Sequence, residues 1–97
     1  RSREALKGLV VVMDIRHPLK DYDRQIIGYA IENSLPVHAV LTKADKLGRG
    51  AGLNVLQAVR KDLQGTYGDS VGVQTLSSES KAGVDELRKV VAGWLGV

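Results

Sequence analysis

A chain of 97 residues without cysteine has room for one small domain, and no disulfide or thiolate metal site can staple it. Hydrophobic residues make up 43% and charged residues 26%, the balance of a folded domain rather than a disordered one, and no apolar run is long enough to cross a membrane. The net charge of +3 is mild and dispersed, so it favours an acidic partner such as RNA only weakly over an ordinary mixed-charge surface.

The first element is the run Gly8-Leu9-Val10-Val11-Val12-Met13-Asp14. Its continuous apolar, β-branched character predicts a strand covered on both faces. From Asp21 through Leu35, apolar residues at Tyr22, Ile26, Ile27, Ala30 and Ile31 recur at helical spacing. Pro36 blocks that helix and opens a second strand, Val37-His38-Ala39-Val40-Leu41-Thr42. A glycine-rich stretch, Gly48 to Gly52, leads into a second helical pattern at Leu53, Leu56, Val59 and Leu63, which Gly65 is placed to stop. Val71 to Leu76 predicts a third, weaker strand. Val84, Leu87, Val91 and Trp94 then mark a last helix, with Trp94 in the core and Asp85 and Glu86 in the first turn, where the helix dipole favours negative charge.

Strand and helix alternate three times. Such alternation predicts an α/β fold, a parallel sheet of three strands with helices on both faces, joined by right-handed crossovers. Ligands of parallel sheets bind beyond the carboxyl ends of the strands. Those ends here are Asp14 to Pro18, Thr42 to Asp45 and Ser77 to Ser80, which the topology brings to one edge.

The chemistry of that edge centres on Thr42-Lys43-Ala44-Asp45. Guanine presents two adjacent donors, N1–H and the N2 amine. An ionised carboxylate is acceptor-only and takes both at once, whereas adenine lacks the amine and turns an acceptor toward it. Asp45 is therefore placed to select guanine, and the methylene stem of Lys43 to cover the base face. A solvated Lys/Asp pair in a loop would read the same from the tetrapeptide alone. Ser77 and Ser78 add a second piece: a small residue there lets a backbone N–H approach guanine O6, and a hydroxyl can brace Asp45. Taken alone, they read as an ordinary serine-rich loop before a helix.

With these motifs in place, the sequence resembles the EngB-type bacterial GTPases of the P-loop class. The resemblance rests on Met13-Asp14-Ile15-Arg16-His17-Pro18-Leu19-Lys20-Asp21-Tyr22-Asp23, on Leu41-Thr42-Lys43-Ala44-Asp45-Lys46-Leu47, and on Ser77-Ser78 with Gly83-Val84-Asp85-Glu86-Leu87. It covers nearly the whole chain. The Asp-x-Arg-x-Pro segment, and Thr42 where other GTPases commonly have Asn, distinguish this family from its neighbours. The resemblance implies that Thr42, Lys43 and Asp45 form the base-specificity motif and that Ser77 and Ser78 belong to the fifth-motif loop. It implies GTP or GDP as ligand with Mg²⁺ in the full-length parent, GTP hydrolysis, and work on the large ribosomal subunit and its rRNA, linked to cell division and septation. A cytoplasmic, non-membrane location follows.

Two departures stand beside the resemblance. Glu79 occupies the place where other GTPases often carry Lys. No Gly-x-x-x-x-Gly-Lys-Ser/Thr occurs in the 97 residues. In a full-length member that P-loop and an Asp-x-x-Gly would precede Arg1, and Arg1 to Leu6 would be the tail of the helix after switch II. The expectation is therefore the C-terminal part of a single GTPase domain, residues 1–97, with no catalytic residue and no metal ligand of its own. The strand Leu9 to Met13 would then be left as an open, apolar edge prone to self-association. Two other readings remain open: a non-catalytic α/β module for protein or RNA, and the equivalent part of another P-loop GTPase family. His38 reads as a satisfied histidine of a strand and His17 as part of a turn, while Arg60 and Lys61 read as a solvated helix face.

Overall fold

The two β-branched runs form the first strands, β1 at Leu9–Asp14 and β2 at Val37–Thr42, and Val71–Thr75 forms β3. All three run parallel in the order β1-β2-β3, with Val11 opposite Ala39 and Ala39 opposite Val73. The structure is a computed structural model that describes residues 7–96, so the helix tail expected at Arg1 to Leu6 lies outside the described residues. Helices α1 (Asp21–Glu32), α2 (Arg49–Tyr67) and α3 (Val84–Leu95) alternate with the strands, as the spacing predicts.

One face of the sheet carries the core. Val11 and Met13, Ala39 and Leu41, and Val71 and Val73 point to the same side, where Ile27 and Ala30 of α1 and Val59 and Leu63 of α2 close over them. Arg24 of α1 reaches Asp62 of α2 through two nitrogens at 3.2 and 3.0 Å and ties the two helices on their solvent side. The opposite face belongs to α3, whose Trp94 ring stands against Gly8. A Cβ at Gly8 would lie 2.6 Å from that ring, so only glycine permits the approach.

Several boundaries differ from the sequence pattern, each for a local reason. The buried stripe of α1 is Asp23, Ile27 and Ala30, while Tyr22 and Ile26 face outward. Asp23 can be buried because its carboxylate accepts the N–H of Lys20 at 3.0 Å, one half of a capping box. The helix ends at Glu32 rather than Leu35, because Ser34 turns left-handed at φ 62° and the Leu35 N–H closes on the Ala30 carbonyl at 2.9 Å. At the other boundary, α2 takes in the glycine stretch from Arg49 and runs through Gly65 to Tyr67. The residue that ends it is Gly68, at φ 69°. Tyr67 packs on the core and holds that last turn in place.

The central strand is covered on both faces. Val37 to Leu41 are all buried, whereas Val12 of β1 is 62% exposed on the α3 side. Among the described residues β1 pairs with β2 alone, so the open apolar edge expected at Leu9 to Met13 is present. Helix α3 buries no residue fully, and Trp94 is half-buried against Gly8 rather than enclosed in the core.

Gly65 sits exposed inside α2, and a methyl group on its Cα would meet no atom within 4 Å. Gly65→Ala should therefore stabilise the fold by about 0.5–1 kcal/mol through helix propensity alone. Denaturant melts of the two proteins check this, and a loss of stability would contradict the helical assignment at that position.

Candidate functional site

The carboxyl ends of β2 and β3 are sewn together before any side chain contributes. The Leu76 N–H donates to the Leu41 carbonyl at 2.8 Å, and the Ala44 N–H donates to the Leu76 carbonyl at 3.1 Å. Thr42 fixes the third strand end to these two, its Oγ1 donating to the Met13 carbonyl at 3.1 Å. Lys43 then adopts a left-handed conformation, φ 60° and ψ 35°, and the chain enters a 3₁₀ turn over Ala44–Lys46. That reversal brings Asp45 back over the strand ends.

Asp45 meets Ser77 there. Ser77 is buried, 3% exposed, and its hydroxyl donates to Asp45 Oδ1 at 2.8 Å. Ser77 Oγ in turn accepts the Ser80 N–H at 3.2 Å, and the Ser77 N–H donates to the Ala82 carbonyl at 3.0 Å. The loop 77–82 is thus folded around one hydroxyl, with Ser78 and Glu79 exposed to solvent.

A buried amide anchors the loop from behind. Gln74, 1% exposed, donates through Nε2 to the Thr75 carbonyl at 3.0 Å and the Gly83 carbonyl at 2.8 Å. With its nitrogen so committed, its Oε1 faces His38 Nε2 at 2.7 Å, which assigns the ring proton to that nitrogen. His38 is the satisfied buried histidine the sequence suggests. Gly83 has φ 92°, and a Cβ there would run into the Thr75 carbonyl, so the loop exit requires glycine. Sequence reading singled out neither Gln74 nor the steric demand at Gly83. A polar residue inside an otherwise apolar strand was the available signal for Gln74.

On the β1 side, Asp14 accepts three bonds from Arg16: from the backbone N–H at 2.9 Å, from Nε at 3.0 Å and from Nη2 at 2.8 Å. The Lys43 ammonium stands 3.6 Å from Asp14 Oδ2. His17 closes the turn through its N–H to the Asp14 carbonyl at 2.9 Å, and its side chain is exposed.

Both carboxylates are held ionised. The Arg16 hydrogen bonds, side-chain and then backbone, keep Asp14 far below the usual carboxylate range. Asp45 is also depressed, chiefly by the Ser77 hydroxyl, with smaller help from its own backbone N–H and from Lys46 and Arg16, against the opposing effect of burial. The Lys46 ammonium lies 3.9 Å from Asp45 Oδ2, a loose surface pair. At neutral pH the edge thus presents an acceptor-only Asp45 whose Oδ2 carries only the loose Lys46 contact, with the Lys43 ammonium held at Asp14.

Among the described residues no three His, Asp or Glu side chains converge as metal ligands. Asp-x-x-Gly, expected only upstream of Arg1, does occur within the chain, at Asp45 to Gly48, Asp62 to Gly65 and Asp69 to Gly72. The first begins at the carboxylate that Ser77 braces, the second lies within α2, and the third enters β3 at its amino end, opposite the edge that carries Asp45. Neither of the last two is placed to meet a phosphate at the strand carboxyl ends.

The three-stranded parallel sheet with helices on both faces is an α/β architecture, and solved structures share it. Translation elongation factor SelB from Methanococcus maripaludis, solved with the GTP analogue GppNHp, superposes with a TM-score of 0.79 at 21% identity, over 93% of this chain and 20% of that one. Its apo form superposes with a TM-score of 0.76 at 23% identity, over 92% of this chain and 20% of that one. In sequence, the chain resembles the EngB GTP-binding proteins over its whole length. It is 66% identical over 97 residues to the Stenotrophomonas maltophilia protein named "Probable GTP-binding protein EngB", and 66% identical to the Xanthomonas campestris protein of the same name. It covers 48% and 47% of those two proteins, so the chain spans about half the length of the relatives it matches. No family model matches the chain.

Ser77→Ala removes the largest influence on Asp45, so the Asp45 carboxyl should titrate at higher pH in the variant than in the parent. The sign for stability follows. A depressed folded-state pKa contributes stability that is present above the ordinary carboxylate range and is lost as pH falls through the folded value, and Ser77→Ala should weaken that acid dependence. Carboxyl-carbon chemical shifts followed against pH give the test; an unmoved Asp45 titration would contradict the bond.

Proposed function

We propose that this chain is the guanine-reading part of a GTP-binding protein. Asp45 accepts the N1–H and N2–H of the base, the stem of Lys43 covers one face of the ring, and the loop from Ser77 to Ser78 offers backbone N–H toward O6. Thr42 holds the strand end that carries Lys43 and Asp45. Ser77 occupies one lone pair of Asp45 Oδ1, and an ionised carboxylate has acceptor capacity left for two donors. The observation that carries the reading is the 2.8 Å bond from Ser77 to Asp45, which joins two sequence motifs 32 residues apart into one acceptor site.

The relatives' name and their length, about twice that of this chain, support a wider reading. The parent protein binds GTP or GDP with Mg²⁺, holds the phosphates and metal on residues outside this chain, and hydrolyses GTP. It acts in the cytoplasm on the large ribosomal subunit, in the assembly and septation roles that the resemblance implies. The open β1 edge with its exposed Val12 supports self-association when the chain stands alone.

Base choice provides the experiment. In the full-length protein, Asp45→Asn replaces an acceptor by an amide that can donate to the 2-oxo group of xanthine. GDP affinity should fall by at least ~10-fold, since each charge-assisted bond contributes roughly 1.5–3 kcal/mol, and XDP should gain. Unchanged GDP affinity with no gain for XDP would remove Asp45 from the site.

A further inference from the structure

The Asp-x-Arg-x-Pro segment lies on the ligand edge, yet nothing in the guanine reading uses it. Asp14 is the last residue of β1, and its carboxylate is immobilised by the three bonds from Arg16. Its Oδ2 faces the Lys43 ammonium at 3.6 Å. Lys43 would otherwise be unconstrained: its side chain is 57% exposed, and a lysine of that exposure samples many rotamers. The Lys43 backbone is left-handed, and the pair with Asp14 shows that the side chain reaches back toward the end of β1.

We infer that Asp14, clamped by Arg16, is a positioning residue that tethers the Lys43 ammonium and so arches the lysine stem over the seat of the base beside Asp45. The inference rests on the guanine reading above and adds to it a residue for base stacking. Arg16 serves twice: it fixes both oxygens of Asp14 in direction, and it keeps the carboxylate charged. The tether restricts Lys43 before the nucleotide arrives, so less rotamer freedom is lost on binding. Because the ion pair is exposed, its contribution is modest and screened by salt.

A double-mutant cycle in the full-length protein tests the tether, read by GDP affinity. Asp14→Asn keeps the side-chain shape and the acceptor for the Arg16 N–H but removes the charge. It should weaken GDP binding about three- to fivefold at low salt, with the penalty shrinking as salt is raised. Lys43→Ala should weaken binding at least as much, and adding Asp14→Asn to Lys43→Ala should cost nothing further. Arg16→Gln leaves the Asp14 charge but loosens it. That variant should give a smaller loss that also disappears in the Lys43→Ala background, and it decides the matter if Asp14→Asn fails to fold. A penalty that persists in the Lys43→Ala background, or one that salt does not reduce, overturns the tether, as does full affinity in Asp14→Asn. The Asp45→Asn variant run in parallel separates the two readings. If its base choice switches while the Asp14 and Lys43 losses simply add, only the tether fails; if its base choice is unchanged, the guanine reading fails and the tether with it.

Discussion

One buried hydroxyl makes two loops into a site. Ser77 Oγ donates to Asp45 and accepts from the Ser80 N–H, so the loop after β2 and the loop after β3 share a single polar centre. The bond can form only because parallel pairing delivers both strand ends to the same edge, and because backbone bonds from Leu76 and Ala44 draw those ends together. A carboxylate so placed stays ionised, and its second oxygen carries only a loose contact with Lys46. Burial gives the hydroxyl its leverage: a polar group on a residue only 3% exposed must be satisfied, and here satisfying it also sets the shape of the loop.

Behind that centre stands a second polar network. His38 and Gln74 lie on the α3 face of the sheet, between β2, β3 and the loop that starts α3. Its three bonds run in one sense: histidine Nε2 to amide oxygen, amide nitrogen to two carbonyls. Such a network has one arrangement, which fixes the exit of the loop at Gly83 as firmly as Ser77 fixes its entry. The site thus rests on the less covered side of the sheet. There α3 buries none of its residues fully, and polar bonds take over part of the task that apolar packing performs under α1 and α2.

The order of elements was legible in the sequence because strands and helices carry different apolar periods, and the runs at Val10 to Met13 and Val37 to Leu41 are long enough to show them. The pairing of Asp45 with Ser77 could be anticipated because a parallel sheet brings both loops to one edge and a serine hydroxyl can brace a carboxylate. Exact stops were not legible. Gly65 and Gly68 look alike in sequence, yet it is Gly68 that carries the positive φ ending α2. Nor could the pattern foresee that β1 is covered on one face: its residues resemble those of β2, but coverage depends on what lies beside a strand, not on its own composition. The clamp of Arg16 on Asp14 was visible only as a motif without a role, since its meaning lies in the distance to Lys43, 29 residues away.

The most direct measurement of the central claim is a structure of the full-length protein with GDP. The expected result has the guanine N1 and N2 both within hydrogen-bond distance of the Asp45 carboxylate, with Ser77 Oγ still on Oδ1. A guanine seated away from Asp45, or an Asp45 released from Ser77 and turned to solvent, would contradict the claim that these two residues form one base-reading site.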